Sequence, residues 1–181
     1  MNILTESLVE ETVQAVQEAG ACLSDPTAVR CVRAKSKTDY VTNVDLAVQE
    51  LLRERLAALA PDVQFMGEEQ DNTGLDWHRP CWILDPVDGT TNLIHNFRHS
   101  AISLALAEDG QTVFGVVYNP YTEECFTARR GGGISFCHLG GLHLHIGIGG
   151  NVIIALFVLA GQHTVGAHGG HHFRRVGVHD G

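Results

Sequence analysis

The run Trp82-Ile83-Leu84-Asp85-Pro86-Val87-Asp88-Gly89-Thr90-Thr91-Asn92 sets two carboxylates three positions apart and follows them with backbone amides and hydroxyls. A residue ahead of proline favours extended backbone, so Asp85 reads as the end of the short buried strand that starts at Cys81. Val87 and Asp88 then turn, and Gly89 supplies a backbone angle that other residues resist. Thr90 opens a helix whose free N–H groups and positive end suit an anion. Aspartate oxygens are hard ligands of the kind Mg²⁺ takes a few at a time, leaving positions for water and phosphate. Such a segment could carry out metal-assisted chemistry on a phosphate ester. The competing reading is a plain surface turn, because Asp, Pro and Gly are common turn formers.

Two further segments weigh against that turn. Phe65-Met66-Gly67-Glu68-Glu69 is another apolar run ending in acid, and Glu68 would lie near Asp85 if the two strands are neighbours. Asp45 stands just inside the start of a strongly helical stretch, after Asp39-Tyr40-Val41-Thr42. Alternation along an extended strand sends Glu69 to the face opposite Glu68. Lys35 reads either as a charge acting on this region or as a solvated loop lysine.

The elements that must position these groups follow from periodicity. Leu4, Leu8, Val13 and Val16 recur at helical spacing to about residue 23. Val44, Val48, Leu51, Leu52, Leu56 and Leu59 do the same up to Pro61, with Thr42 or Asn43 as cap. Ala101–Leu106, Thr112–Tyr118 and Cys125–Ala128 read as strands of a meander, joined by turns at Glu108-Asp109-Gly110 and Asn119-Pro120. The predicted class is α+β, two N-terminal helices packed on a mostly antiparallel sheet.

Gly67-Glu68-Glu69, the run from Asp85 to Asn92, and Asp39-x-Val41-Thr42-x-x-Asp45 together resemble the signatures of the inositol monophosphatase family. That family belongs to the superfamily of Mg²⁺-dependent, lithium-sensitive sugar phosphatases. His95-Asn96-Phe97, Gly115 to Pro120 and Arg130 to Gly133 stand where similar family segments would, so the resemblance covers about residues 1–133. It implies the first half of the αβαβα sugar-phosphatase fold. It also implies a Mg²⁺ site made by Glu68, Asp85 and the Val87 carbonyl, and a second made by Asp85 and Asp88. Substrate contacts would come from Glu68, Val87, Asp88, Gly89 and Thr90. The implied catalytic set is Asp45, Glu68 and Thr90, in which Thr90, paired with Asp45 and helped by Glu68, orients and deprotonates the attacking water. The implied substrate is a small phosphorylated polyol or sugar such as inositol monophosphate, and relatives are often homodimers.

The pattern stops at about Gly133. Relatives supply a further aspartate from a Trp-Asp-x-Ala-type motif, which this chain lacks. Residues 134–181 read as a Gly/His-rich tail beyond an N-terminal domain of residues 1–133. The compositional break points to a frameshift, a mis-called gene end, a truncation or an engineered fusion. His143, His145, His163, His168, His171 and His172 could ligate a transition metal, but their spacing fits no zinc motif with the cysteines, and a chance Gly/His bias is the alternative. Val152–Ala160 is too short to span a bilayer, which takes about 20 apolar residues. The net charge of −9 argues against a phosphate-backbone binder, so no nucleic-acid or membrane partner is expected. Five scattered cysteines and no leader ahead of Asn2-Ile3-Leu4 suggest a reducing cytoplasm. The function expected is Mg²⁺-dependent hydrolysis of a small phosphate monoester; the alternative is a catalytically incomplete fragment with a weak metal or phosphate site.

Overall fold

A computed structural model describes residues 3–25, 27–36, 40–138 and 142–146, with backbone alone for residues 137–138 and 142–146. Asp39, the histidines from His163 onward and the Val152–Ala160 run lie outside the described residues, as do the side chains of His143 and His145.

The chain begins with α1 (Glu6–Ala19), whose first turn is closed by Thr5 Oγ1 accepting from the Leu8 N–H at 3.1 Å. Helical periodicity predicts one helix to about residue 23, but Gly20 divides it, and a short α2 (Ala21–Ser24) follows. The break coincides with a close approach to the sheet: a Cβ on Gly20 would come within 2.5 Å of Tyr118 Cε1 and 3.0 Å of the Pro120 Cβ. Tyr118 is buried and cannot swing away. Gly20→Ala is therefore expected to cost about 1–3 kcal/mol, the usual range for overpacking a core, measurable as a lower urea midpoint with unchanged slope.

A hairpin of β1 (Val32–Ala34) and β2 (Tyr40–Thr42) leads directly into α3 (Asn43–Leu59). Thr42 caps that helix: its Oγ1 accepts from the Val44 N–H at 3.1 Å, and its own N–H donates to Asp45 Oδ2 at 2.8 Å. Asn43 ties the incoming segment to the helix start, its Oδ1 accepting from the N–H groups of Arg30 and Cys31 at 2.9 and 3.0 Å.

Seven strands then form one sheet in the order of the chain: β3 (Gln64–Gly67), β4 (Cys81–Asp88), β5 (Ala101–Glu108), β6 (Gln111–Asn119), β7 (Glu124–Arg129), β8 (Gly133–His138) and β9 (Leu142–Ile146). The β3–β4 pair is parallel and the others are antiparallel, with a five-residue α4 (Thr90–Ile94) between β4 and β5. The class predicted from the sequence, α+β with helices on a mostly antiparallel sheet, is the class observed. Strands β8 and β9 extend the sheet beyond residue 133.

Strand alternation separates the two faces. Trp82, Leu84, Ile102, Leu104, Leu106, Phe114, Val116 and Tyr118 form the core with Leu8, Val16, Val48, Leu52 and Leu56 of the helices. Val117 and Ala128 form a smaller cluster with Ala101, Phe126 and Ile134. Asp85 and Ser103 alternate with the core residues of β4 and β5, which puts them on the sheet face turned away from α1 and α3.

Candidate active site

Parallel pairing of β3 with β4 sets Gly67 opposite Leu84, so the next residues, Glu68 just past the end of β3 and Asp85 within β4, come side by side. In a regular strand, Asp85 and Asp88 would point to opposite faces because their spacing is odd. The register with β5 removes that problem: Asp85 lies opposite Ser103 and Asp88 opposite Ala101, three steps on β4 against two on β5. This one-residue bulge returns both aspartates to the same side. The turn expected at Val87 and Asp88 is thus a bulged continuation of β4, which ends at Asp88.

Gly89 follows with φ of 89°, where a Cβ would crowd Asn92 Nδ2 at 3.1 Å and the His99 carbonyl at 3.2 Å. The left-handed angle aims the chain into α4, as the sequence predicts. Asn92 Nδ2 donates to the His99 carbonyl at 2.7 Å, and Ser100 Oγ donates to the Gly89 carbonyl at 2.9 Å. Those two bonds close the loop behind the Gly89–Thr90 corner.

Thr90 Oγ1 lies 3.0 Å from the Val87 carbonyl and 3.3 Å from Asp45 Oδ1. Asp45 is buried, and its Oδ2 accepts from Thr42 N at 2.8 Å and from Thr42 Oγ1 at 2.5 Å. Burial raises the Asp45 pKa, partly offset by the hydrogen bonds from Thr42 and Thr90. One carboxylate therefore caps α3 with one oxygen and meets the Thr90 hydroxyl with the other.

The Asp85 carboxyl stands well above the ordinary carboxylate range. Burial is the largest cause, and the charges of Glu68 and Asp88, with a hydrogen bond shared with Glu68, act in the same direction. The Val87 N–H, donating to Asp85 Oδ1 at 3.1 Å, opposes them. Across the strand from Asp85, the buried Ser103 hydroxyl has no hydrogen-bond partner.

Glu69 departs from the sequence expectation. Strand β3 ends at Gly67, so alternation does not reach Glu68 and Glu69, and both carboxylates meet Lys35 Nζ, Glu68 at 3.1 Å. Burial raises the Glu69 pKa, and the Lys35 bond works against that rise. Burial also acts against the Lys35 ammonium, but its bonds to Glu69 and Glu68 outweigh it and its pKa is raised. Lys35 lies exposed in a bend and carries both ion pairs, which favours the reading of a charge acting on this region.

All the residues singled out by sequence, Asp45, Glu68, Asp85, Val87, Asp88, Gly89 and Thr90, thus fall around one corner of the sheet. Among the described residues no three acidic, histidine or cysteine side chains close on a single point, and Glu68 is paired with Lys35. The donor set nevertheless fits a hard divalent cation: the half-buried Asp85 carboxyl is loaded by two neighbouring carboxylates, and an unpartnered hydroxyl lies across the strand from it. Ser103 went unnoticed in the sequence, since only the β4–β5 register reveals its place.

The fold and this corner define a class: an α+β sheet protein with acidic residues at the end of a β3–β4 parallel pair and a Thr–Asp pair beside them. The profile of the inositol monophosphatase family matches residues 4–156. The chain is 43% identical over 132 residues to an inositol-1-monophosphatase of Rhizobium meliloti, covering 70% of this chain and 49% of that protein. It is 34% identical over 136 residues to an inositol monophosphatase of Dictyostelium discoideum, covering 73% and 50%. Among solved structures, the extragenic suppressor protein SuhB of Bartonella henselae superposes with a TM-score of 0.65 at 33% identity, covering 72% of this chain and 51% of that one. An IMPase of Thermotoga maritima gives a TM-score of 0.65 at 30% identity, covering 71% and 50%. The chain belongs to the inositol monophosphatase family. It spans about half the length of the curated relatives it matches.

Proposed function

We propose that this corner hydrolyses a small phosphate monoester, such as an inositol monophosphate, with water and in dependence on Mg²⁺. The observation that carries the reading is Asp85, a half-buried carboxyl whose pKa is raised first by desolvation and then by the charges of Glu68 and Asp88, beside the Thr90–Asp45 pair. Glu68, Asp85, Asp88 and the Val87 carbonyl would hold the cations. When bound, divalent cations neutralise phosphoryl oxygens and lower the pKa of a water, which makes an acidic pocket compatible with an anionic substrate.

The remaining steps belong to the chain. The Thr90 hydroxyl has one hydrogen and two acceptors in reach, the Val87 carbonyl and Asp45 Oδ1. With the Val87 carbonyl committed elsewhere, that hydrogen goes to Asp45. As Thr90 Oγ1 takes a proton from the attacking water it passes its own to Asp45 Oδ1, the oxygen of the water bonds to phosphorus, the ester P–O bond breaks, and the departing alkoxide takes a proton from solvent water. Glu68 helps orient that water, and the substrate phosphate takes contacts from Asp88, Gly89 and Thr90, with Val87 and Glu68 at its edge. The α4 helix is too short to add much field of its own, so the anion contacts rest on individual amides.

The groups named here all lie within residues 1–133, and the further aspartate that relatives supply is not among them. A cytoplasmic setting agrees with Cys22, Cys31, Cys81 and Cys125, none of which forms a disulfide among the described residues. No described helix is long and apolar enough to cross a membrane. Release of inorganic phosphate from inositol 1-phosphate, with and without Mg²⁺, tests the proposal. Mg²⁺-dependent release is expected, and the same slow release in Mg²⁺ and in chelator would overturn it.

A further inference from the structure

The turn that carries Glu68 is tied to α3 by a side chain that neither the motifs nor the proposed mechanism uses. Gln49 lies one helical turn beyond Asp45 on α3, on the same face, and is buried with 7% of its surface exposed. Its Oε1 accepts from the Glu69 N–H at 2.9 Å. Gly67 makes room for it: a Cβ there would stand 2.3 Å from Gln49 Oε1 and 2.6 Å from its Cδ. The amide of Gln49 therefore lies flat against the end of β3, in space that only glycine leaves.

Lys35 meets the Glu68 and Glu69 carboxylates from outside the turn, and the bonds within the turn are local. Asn72 Nδ2 donates to the Gly67 carbonyl at 2.7 Å, and Gln70 Nε2 donates to the Phe65 carbonyl and Asn72 Oδ1, each at 3.0 Å. These bonds hold the turn's shape without fixing its place against the helix.

The geometry points to Gln49 as a positioning residue, seated by Gly67, that sets Glu68 against Asp45 and Asp85 and so prepares the cation site. The inference rests on the proposed Mg²⁺ site and adds the strut that holds one of its ligands in place. Groups that orient ligands from behind typically matter by about 10–100-fold in metal affinity.

Two substitutions reach the strut from opposite sides. Gln49→Met keeps length and packing but loses the acceptor. Gly67→Ala keeps Gln49 but displaces its flexible tip, so both variants of the full 181-residue chain are expected to fold. Amide exchange at Glu69 should accelerate at least about tenfold in both. The Mg²⁺ midpoint by calorimetric titration should rise about tenfold in both variants, each shown by a cooperative melt to be folded. Unchanged protection of the Glu69 amide in Gln49→Met, or a Mg²⁺ midpoint within about twofold of the parent, would overturn the inference. If the parent itself binds no Mg²⁺, the proposed function fails, and the Glu69 exchange rate alone decides the strut.

Discussion

Asp85→Asn is expected to reduce Mg²⁺-dependent phosphate release by at least about 10²–10³-fold, the scale of losing one preorganised electrostatic contact, while making the metal-free protein more stable at neutral pH. The second half of this expectation follows from linkage. The folded-state pKa of Asp85 lies above the ordinary value because burial, Glu68 and Asp88 all disfavour its charge. Between the unfolded and folded pKa values, the native state holds a proton that the unfolded chain has lost. Stability of the metal-free protein therefore falls as pH rises through that window, and the loss persists above it. Asparagine removes the charge and keeps the Oδ1 acceptor for the Val87 N–H. Thermal melts in chelator across pH should show the parent losing stability with rising pH and Asp85→Asn losing less of it. At neutral pH the variant should melt higher by on the order of a few degrees. A lower melting temperature for the variant at neutral pH in chelator would contradict this account of the site.

Asp45→Asn is expected to separate the two duties of one side chain. The Asn carbonyl oxygen can still accept from the Thr42 N–H, so the start of α3 stays closed, and the cost in stability should be about 1 kcal/mol or less. That orientation turns the Nδ2 toward Thr90 Oγ1, where it donates a hydrogen instead of receiving one. Thr90 then loses its outlet for a proton. The turnover number should fall about 10²–10⁴-fold, the usual contribution of a positioned base, with a smaller change in KM. Steady-state kinetics at saturating Mg²⁺ check this, and a turnover number within about tenfold of the parent would remove the Thr90–Asp45 pair from the mechanism.

How far the sequence revealed these groups depended on the range of the interactions that place them. The start of α3 was legible because a Thr-x-x-Asp cap is written in adjacent residues, and Thr42 and Asp45 form it. Gly89 was legible because its angle is a local property. The neighbourhood of Glu68 and Asp85 needed only the guess that two apolar runs pair, and the parallel β3–β4 register does pair them.

What stayed hidden is set by partners distant in the chain. The extra residue between Asp85 and Asp88 exists only relative to β5, so a turn was the natural local reading of Asp-Pro-Val-Asp-Gly. The break at Gly20 reflects Tyr118 and Pro120 about a hundred positions away. Glu69 was assigned to the wrong side because alternation was carried past the end of β3, and only the Lys35 ion pairs show where the strand stops mattering. The β1–β2 hairpin was missed because three-residue strands leave too little alternation to read.

The most direct test of the central claim is the effect of Mg²⁺ on thermal stability of the full chain at neutral pH. A ligand held by the folded state alone adds about 2.7 kcal/mol at one hundred times its dissociation constant. The melting temperature should climb with Mg²⁺ concentration in the parent, and the climb should be lost in Glu68→Gln, Asp85→Asn and Asp88→Asn. A parent that ignores Mg²⁺, or variants that respond as the parent does, would contradict a cation site at this corner.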